Sequence, residues 1–192
     1  MFAVTERLLL RPGWIDDAPA LTKAVANQKI VRNLAMLPWP YNQSDAESFL
    51  TNVHGKGVPE FLIFTREGTP ELIGGIGLHA DPQDARGVPE LGYWIAEARW
   101  GQGFATEAGQ AVINIARWTL KLPRLTSGHF IDNPASGRVL EKLGFSKTNH
   151  VVQRYSAGRG EAVACQLMTL RLAEEKPAPP MRWASKQMQM AA

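Results

Sequence analysis

The sequence predicts an α+β domain, that is, a mixed α/β fold with a mostly antiparallel sheet of seven strands flanked by about four helices. Two observations lead to this class. Short runs rich in apolar residues are separated by turns that contain Gly or Pro, as at 67–70 and 158–160, which is typical of antiparallel hairpins. One long stretch, from Ala105 to Lys121, instead carries Ala, Val and Ile at helical spacing.

The predicted elements follow the order strand, two helices, three strands, helix, strand, helix and two strands. A Pro-Gly pair closes the first strand, Asp16 is a suitable N-cap for the first helix, and a capping box of Ser44 and Glu47 precedes the second. Pro38 and Pro40 exclude helical geometry from the loop between these two helices. The predicted strands span 5–11, 60–66, 72–79, 90–95, 125–131, 151–155 and 161–172, and the predicted helices span 16–27, a short segment after 44, 105–121 and 135–143.

Three glycines, Gly74, Gly75 and Gly77, interrupt the strand predicted at 72–79. Glycine weakens a strand because it has no side chain to pack. We therefore expect a bulge or a close backbone contact at these positions.

The domain is predicted to cover residues 1–172, and residues 173–192 are predicted to be a C-terminal tail. The tail contains three prolines and lacks apolar periodicity. The length of 192 residues suits one domain with an attached tail, and the sequence shows no internal repeat.

The composition excludes several classes of protein. The net charge is +3, and the 21 Lys and Arg residues are scattered rather than clustered, so no nucleic-acid binding is predicted. No apolar run approaches the roughly 20 residues that a membrane helix needs. Cys165 is the only cysteine, which excludes an intrachain disulfide and a cysteine-based zinc site. We expect a cytoplasmic protein with no metal and no membrane association.

The most informative segment is a glycine-rich turn between a predicted strand and the longest predicted helix. The first backbone N–H groups of a helix lack partners within it, and the helix dipole adds partial positive charge there. Gly101 and Gly103 have no Cβ to block an approaching ligand, so the turn favours an anion, most often a phosphate. The turn lacks the third glycine of a dinucleotide fingerprint and the Lys of a Walker loop. Two glycines can also form a tight turn without binding anything, and this alternative stays open.

The segment Trp100-Gly-Gln-Gly-Phe-Ala-Thr-Glu-Ala108 resembles motif A of the GNAT superfamily of acetyl-CoA-dependent N-acetyltransferases. Gly103 and Ala105 match the small positions of that motif, whereas the first residue is a Trp where Gln or Arg is usual. A Trp there, with Asn133-Pro-Ala-Ser136 and Leu140-Glu-Lys-Leu-Gly-Phe145, resembles the branch of ribosomal-protein N-terminal acetyltransferases (RimJ/RimL-like). The resemblance covers about residues 5–172.

The resemblance implies a strongly twisted sheet that splays open between the strands ending at Ile95 and Ile131. Acetyl-CoA, the co-substrate, would lie in that wedge, with its pantetheine pairing to backbone near Ile95 and with Asn133 holding the pantetheine or an ordered water. Its pyrophosphate would contact backbone N–H groups of the turn. The turn residues concerned are Gly101, Gln102, Gly103, Phe104, Ala105 and Thr106.

The implied reaction is direct transfer of the acetyl group to a primary amine, at a protein or peptide N-terminus or on a small molecule, by a monomer or a homodimer. Many GNAT enzymes use a tyrosine to protonate the departing thiolate, but this chain has Leu140 at that place. In the RimJ/RimL-like branch Ser136 takes this role. Asn133 and Ser136 are also good helix-capping residues, so a structural role for both stays open.

Two side chains at the expected cleft can deprotonate the amine. Glu90 is the favoured base because it begins the strand beside the cleft, where a carboxylate whose pKa is raised by burial could deprotonate the ammonium through a bridging water. His79, at the end of the neighbouring strand, is the rival base. Either residue can instead be a solvated side chain at a strand end.

Some alternatives remain at the level of the sequence. Trp39 and Tyr41 either line the acceptor pocket or pack in the core. A CoA-binding module without activity is the main alternative function, and the absence of the usual tyrosine supports it. A nucleotide-binding domain is disfavoured by the missing Lys after the glycines and by the antiparallel hairpins.

Overall fold

The part of the chain that the computed structural model describes, residues 1–52, 58–80 and 87–173, contains eight strands and five α-helices. The strands are β1 (Ala3–Val4), β2 (Leu8–Arg11), β3 (Glu60–Thr65), β4 (Leu72–Ala80), β5 (Pro89–Ile95), β6 (Arg124–Phe130), β7 (Ser146–Ser156) and β8 (Glu161–Arg171). The helices are α1 (Ala18–Val25), α2 (Gln28–Val31), α3 (Gln43–Asn52), α4 (Phe104–Asn114) and α5 (Pro134–Lys142). A π-helical turn, Ile115–Thr119, continues α4. None of the described helices is long and apolar enough to span a membrane.

All eight strands belong to one sheet, in the order β1-β2-β3-β4-β5-β6-β8-β7. Every neighbouring pair is antiparallel except β5 with β6. The predicted fold class is therefore confirmed, with one strand and one helix more than the seven and four expected.

The extra strand and the extra helix both arise from short polar side chains that bond to nearby backbone. The first predicted strand is a small hairpin, because the Thr5 N–H donates to the Leu8 carbonyl at 2.9 Å and the Leu8 N–H donates to Thr5 Oγ1 at 3.0 Å. The first predicted helix breaks at Asn27, whose side-chain oxygen accepts from the Lys29 N–H at 2.8 Å and begins α2.

The helix caps are also displaced from their predicted positions. Asp17, rather than Asp16, is the N-cap of α1, and its side chain accepts from the Trp14 N–H at 2.8 Å across the preceding turn. At α3 the capping pair is Asn42 with Asp45 instead of the predicted Ser-Glu box: the Asp45 carboxylate accepts from the Asn42 N–H at 2.9 Å. Several residues with similar capping ability stand side by side in both segments, so the sequence could not single out one.

Helices cover both faces of the sheet. Alternate side chains of the central strands point to opposite faces, as the period of a strand requires. We name the two sides the α4 face and the α1 face. The core of the α4 face includes Phe61, Ile63, Ile76, Leu78, Leu91, Phe104, Ala108, Val112 and Leu140. The core of the α1 face includes Ala18, Leu21, Val25, Leu50, Leu62 and Phe64.

The expected bulge is present between β3 and β4. The register shifts between Ile63 and Phe64, where Gly74 lies opposite. A second glycine gives close approach to a side chain rather than to backbone: a Cβ on Gly77 would lie 2.7 Å from the carboxylate of Glu60.

The parallel strands β5 and β6 meet at one end only, and this places the candidate site. Glu90 and Thr126 are the paired residues, and Ser127 Oγ donates to the Leu91 carbonyl at 2.8 Å next to them. Toward their carboxyl ends the two strands diverge. The wedge that the sequence resemblance implies is therefore part of the structure.

Candidate active site

The predicted glycine turn begins α4. Gly101 and Gly103 have φ angles of +73° and +83°, which residues with a side chain rarely adopt, and Gly103 is the N-cap. The first backbone bond back into the turn runs from the Glu107 N–H to the Gly103 carbonyl at 3.0 Å. Within the described part of the chain, the backbone N–H groups of residues 102–106 donate no hydrogen bond to protein. This backbone is therefore suited to an anion.

Arg7, at the β1–β2 hairpin, braces the turn. Its Nε donates to Glu107 at 2.7 Å, its Nη1 donates to the Gln102 carbonyl at 3.1 Å, and its guanidinium lies 4.4 Å from the centre of the Phe104 ring. Burial alone would raise the pKa of Glu107, but hydrogen bonds from Thr5 and Arg7 bring it below its ordinary value. Sequence reasoning missed Arg7 because its partner lies 100 residues away.

A groove of about 880 Å³ runs along α4 and begins at the turn. Its lining includes Val4, Thr5, Gly103, Thr106, Gln110, Asn114 and Lys142. A long ligand whose phosphate groups bind the turn can therefore extend into the groove.

Trp100 connects the turn to the end of β5. Its indole Nε1 donates to the Ile95 carbonyl at 2.6 Å, which gives a structural reason for a Trp at this position of the motif. Ile95 itself is buried and pairs with Gly74 of β4. Because the Ile95 carbonyl has a partner, an added strand would have to use the wedge-side backbone of residues 92–94, which precede it.

Ser136, in the first turn of α5, is joined to β5 by a hydrogen bond with Tyr93. The Tyr93 hydroxyl lies 2.8 Å from Ser136 Oγ and 3.1 Å from the Ser136 carbonyl oxygen. Burial raises the pKa of Tyr93 to about 12, although its bond with Ser136 acts in the opposite direction, so the hydroxyl keeps its proton near neutral pH. Sequence reasoning missed Tyr93: the alternation along β5 assigns its face but does not identify a partner on α5.

Asn133 has the capping role that the sequence left open. Its Oδ1 accepts from the Ser136 N–H at 3.3 Å and so begins α5. Leu140, at the place where the resemblance would put a tyrosine, is fully buried and belongs to the core.

Glu90 and His79 lie beside each other on the α1 face, because they are partners in the β4–β5 register. Both oxygens of Glu90 accept from Arg154 of β7, at 2.5 and 3.1 Å. His79 Nδ1 lies 3.1 Å from Oε2 of Glu60 on β3. Four strands thus contribute one ion pair, Glu90 with Arg154, and one contact between an imidazole and a carboxylate, His79 with Glu60. The side chains are 17% exposed for Glu60 and Glu90, 24% for Arg154 and 39% for His79.

The tip of the β7–β8 hairpin packs against the loop that follows α2. Arg159 donates to the two carboxylate oxygens of Asp132 at 2.7 and 3.0 Å and to the Arg32 carbonyl at 2.5 Å, and Ser156 Oγ donates to the backbone of the loop at 3.0 Å. The hydrogen bonds from Arg159 lower the pKa of Asp132, against the opposing effect of burial. These bonds hold the hairpin in the position that brings Arg154 to Glu90.

Several other side chains have packing roles. Tyr41 packs in the core of the α1 face, and burial raises its pKa to about 12, whereas Trp39 is 42% exposed. Cys165 is buried, which raises the pKa of its thiol. Within the described ranges, no group of three or more His, Cys, Asp or Glu side chains is arranged to hold a metal ion.

Comparison with known proteins identifies the family of the chain. The family model described as an acetyltransferase (GNAT) domain matches residues 7–146. The uncharacterized N-acetyltransferase YoaA of Bacillus subtilis strain 168 is 32% identical over 164 residues, covering 81% of this chain and 88% of the relative. The ribosomal-protein-serine acetyltransferase of Escherichia coli K12 is 34% identical over 117 residues, covering 57% and 63%. The solved structure of RimL, a ribosomal L7/L12 alpha-N-protein acetyltransferase in complex with coenzyme A, has a TM-score of 0.74 at 21% identity, covering 90% and 98%.

Proposed function

Because the chain belongs to the GNAT family of acetyltransferases and resembles its RimJ/RimL-like branch, we propose that it transfers an acetyl group from acetyl-CoA directly to a primary amine. The observation that carries the proposal is the start of α4 beside the wedge between β5 and β6, where consecutive N–H groups have no partner among the residues that the structure describes. Membership of an enzyme family favours catalysis over a CoA-binding module without activity.

In this proposal the pyrophosphate of acetyl-CoA binds the N–H groups of the turn, Gly101 to Thr106. Arg7 adds positive charge at its edge, and the groove along α4 receives the rest of the nucleotide part. The pantetheine passes through the wedge beside β5. Asn133 uses its side-chain oxygen as a helix cap, so its Nδ2 group is the part that can donate to the pantetheine or to an ordered water.

Direct transfer requires a neutral amine, a stabilised oxyanion and a proton for the thiolate. We assign the thiolate's proton to the Ser136 hydroxyl, which Tyr93 holds at 2.8 Å. A backbone N–H on the wedge side of β5 is the proposed donor to the oxyanion. On the α1 face, Glu90, which the sequence favours, and His79 are the two groups that can accept the amine's proton.

The acceptor is proposed to be an N-terminal amine of a protein or peptide, with small-molecule amines as the second class. The similarity to a ribosomal-protein-serine acetyltransferase supports the first class. We also propose a cytoplasmic location, since a single buried cysteine suits a reducing compartment.

The proposal is tested by incubating the chain with acetyl-CoA and a panel of amines, and by following free thiol release and the acetylated product by mass spectrometry. The panel contains peptides with different N-terminal residues, free amino acids, polyamines and amine-containing drugs. We expect one class to be acetylated in proportion to the thiol released. Tight CoA binding by calorimetry without transfer to any amine would instead support the binding module.

A further inference from the structure

We propose that His129, on β6 at the wedge, is a positioning residue for Ser136, an inference that rests on the proposed acetyl transfer. His129 acts through Gly137, the residue that follows Ser136 in α5. Three features carry this assignment: how the imidazole is fixed on β6, how closely it fits against the glycine, and how Ser136 is bonded to β5.

The imidazole of His129 is hydrogen-bonded at one nitrogen and only packed at the other. Nδ1 lies 3.0 Å from the Phe130 carbonyl oxygen, and because a carbonyl oxygen only accepts, Nδ1 is the donor. Nε2 is buried and has no hydrogen-bond partner within residues 1–52, 58–80 and 87–173. The outer edge of the ring therefore acts on its surroundings through its shape rather than through a hydrogen bond.

That outer edge faces Gly137 of α5. A Cβ at Gly137 would lie 2.8 Å from Nε2, 3.0 Å from Cε1 and 3.3 Å from Cδ2 of the ring. An alanine at this position would thus displace either the ring or the helix. Glycine in the interior of a helix destabilises it relative to alanine, so this close approach has a cost in local stability. The ring of His129 sets how near α5 comes to β6.

Two consecutive residues of α5 therefore contact both strands of the wedge. Gly137 rests on His129 of β6, and the Tyr93 hydroxyl of β5 lies 2.8 Å from Ser136 Oγ and 3.1 Å from the Ser136 carbonyl oxygen. A rigid peptide unit joins the two residues, so a shift of Gly137 away from β6 also moves Ser136 relative to Tyr93. The cap from Asn133 to the Ser136 N–H, at 3.3 Å, is long for a hydrogen bond and holds this turn only weakly.

The position of the Ser136 hydroxyl matters for the proposed proton transfer, because a proton donor must lie within hydrogen-bond distance of the atom that it protonates. His129 neither gives nor takes a proton in that step. Its effect is to keep the hydroxyl where the Tyr93 bond places it. Displacing the first turn of α5 should therefore lower turnover without removing any reacting group.

The test uses the full-length chain and compares Gly137→Ala, His129→Asn and the double variant. Asparagine keeps a donor near the position of Nδ1 and lacks the outer edge of the ring, so it leaves room for a Cβ at position 137. Gly109→Ala is the matched control for a tightly packed helix glycine, since a Cβ there would lie 2.5 Å from Leu143 Cδ1. His150→Asn, at an exposed histidine of β7, is the control for the histidine.

The value of kcat is measured at saturating acetyl-CoA with the acceptor found in the amine screen, and calorimetry measures CoA affinity. Gly137→Ala should lower kcat by about 3- to 10-fold, and no more than Ser136→Ala does, because it acts through Ser136. His129→Asn should lower kcat by about 3-fold, since α5 then lacks its support. CoA affinity should change by less than about 2-fold, because the turn at α4 is untouched.

Two combinations separate positioning from a general disturbance of the fold. In the double variant of Gly137→Ala with His129→Asn, most of the lost kcat should return, because the added Cβ fills the space that the ring leaves. In a Ser136→Ala background, Gly137→Ala should lower kcat no further. Gly109→Ala and His150→Asn should both retain the kcat of the wild type.

An unchanged kcat in folded Gly137→Ala, an equal loss in Gly109→Ala, or a loss that His129→Asn does not relieve overturns the inference. If Gly137→Ala does not fold, His129→Asn is combined with Ser136→Ala instead, and an equal fractional loss of kcat with and without Ser136 overturns it.

Thermal melts of the wild type, the two single variants and the double variant need no substrate. A Tm shift in the double variant that is smaller than the sum of the single shifts supports the contact of His129 with Gly137, and additive shifts overturn it. A wild-type chain that acetylates no amine contradicts the proposed function itself. The role of His129 in transfer then falls with it, whereas coupled Tm shifts would still support the contact.

Discussion

The two sides of the β5–β6 wedge present different parts of the chain to a ligand. On the α4 side, the candidate phosphate site consists of backbone N–H groups from consecutive residues, 102–106, at the start of one helix. On the α1 face, the candidate acceptor site consists of side chains from four strands: Glu60, His79, Glu90 and Arg154. The first depends on local geometry, and the second depends on strand register. Substitutions on the α1 face can therefore change the acceptor while leaving the cofactor site intact.

The two sides also differ in electrostatics. The turn offers partial positive charge from a helix N-terminus, and the ion pair of Arg7 with Glu107 braces its edge. The α1 face instead carries the ion pair of Glu90 with Arg154 and the contact between His79 and Glu60. Changes at the turn should therefore act on CoA affinity, whereas changes among these α1-face side chains should act on turnover and pH dependence.

The largest expected effect on the α4 side comes from Gly103→Val. A β-branched side chain is strained at a φ of +83° and covers the N–H groups, so CoA affinity should fall about 10-fold or more. Gly68→Val is the matched control, because Gly68 also has a positive φ, of +66°, but lies in the β3–β4 turn. Calorimetry should show lost CoA binding only in the first variant. Equal CoA affinity in the two folded variants would contradict a phosphate site at the turn.

The next effect concerns the proton donor. Ser136→Ala should lower kcat by about 10-fold, less than loss of the base, because protonating a thiolate near neutral pH is not demanding. No recovery is expected at high pH, since the proton goes to the thiolate and not to the amine. Ser146→Ala, at an exposed serine of β7, is the control. A wild-type kcat in Ser136→Ala, measured at saturating acetyl-CoA, would assign Ser136 to capping alone.

A smaller effect is expected from the brace of the turn. Arg7→Gln removes the bonds to Glu107 and to the Gln102 carbonyl, so the free energy of unfolding should fall by about 1–2 kcal/mol and CoA affinity by about 3-fold. Arg99→Gln breaks only an exposed pair with Glu71 and should cost about 0.5 kcal/mol or less. Denaturant titrations and calorimetry on both variants measure the difference. Identical behaviour of the two would show that Arg7 does not support the turn.

The pH dependence of stability tests the acceptor side. The pKa of Asp132 in the folded state is lowered, so the Arg159–Asp132 bonds stabilise the protein above the unfolded-state pKa, and this contribution is lost as pH falls through the folded-state pKa. Between about pH 6 and about pH 3, the Tm of the wild type should therefore fall more than that of Asp132→Asn. Thermal melts followed by circular dichroism measure this. Parallel curves would mean that the hairpin tip contributes nothing to the acid sensitivity.

The smallest effect is expected at the C-terminus. Truncation after Glu175, which lies outside the described residues, should change the Tm by no more than about 3 °C, because the tail has several prolines and no apolar periodicity. CoA affinity and turnover should also persist, so both sides of the wedge would be independent of the tail. A loss of CoA affinity would connect the tail to the turn on the α4 side. A loss of turnover with unchanged CoA affinity would connect it to the α1 face.

The sequence by itself determined the features that depend on residues close together in the chain. Turn residues between apolar runs mark the hairpins, helical spacing marks α4, and Gly101 and Gly103 mark the turn that begins it. The same local rules failed where neighbouring polar residues compete for a cap, as with Asp16 and Asp17. Each such choice depends on fractions of a kcal/mol.

Only the tertiary structure decided which side chains meet. Three hydrogen-bonded pairs join residues that are far apart along the chain. Arg7 and Glu107 are separated by 100 residues, Arg154 and Glu90 by 64, and Tyr93 and Ser136 by 43. These contacts depend on strand order, on the register between strands and on the direction in which the β7–β8 hairpin folds back. A shift of one residue in register moves a side chain to the other face of a sheet, so periodicity can assign a face but not a partner. The phosphate turn could be found from sequence because it is local, whereas the partners of Glu90 and His79 could not.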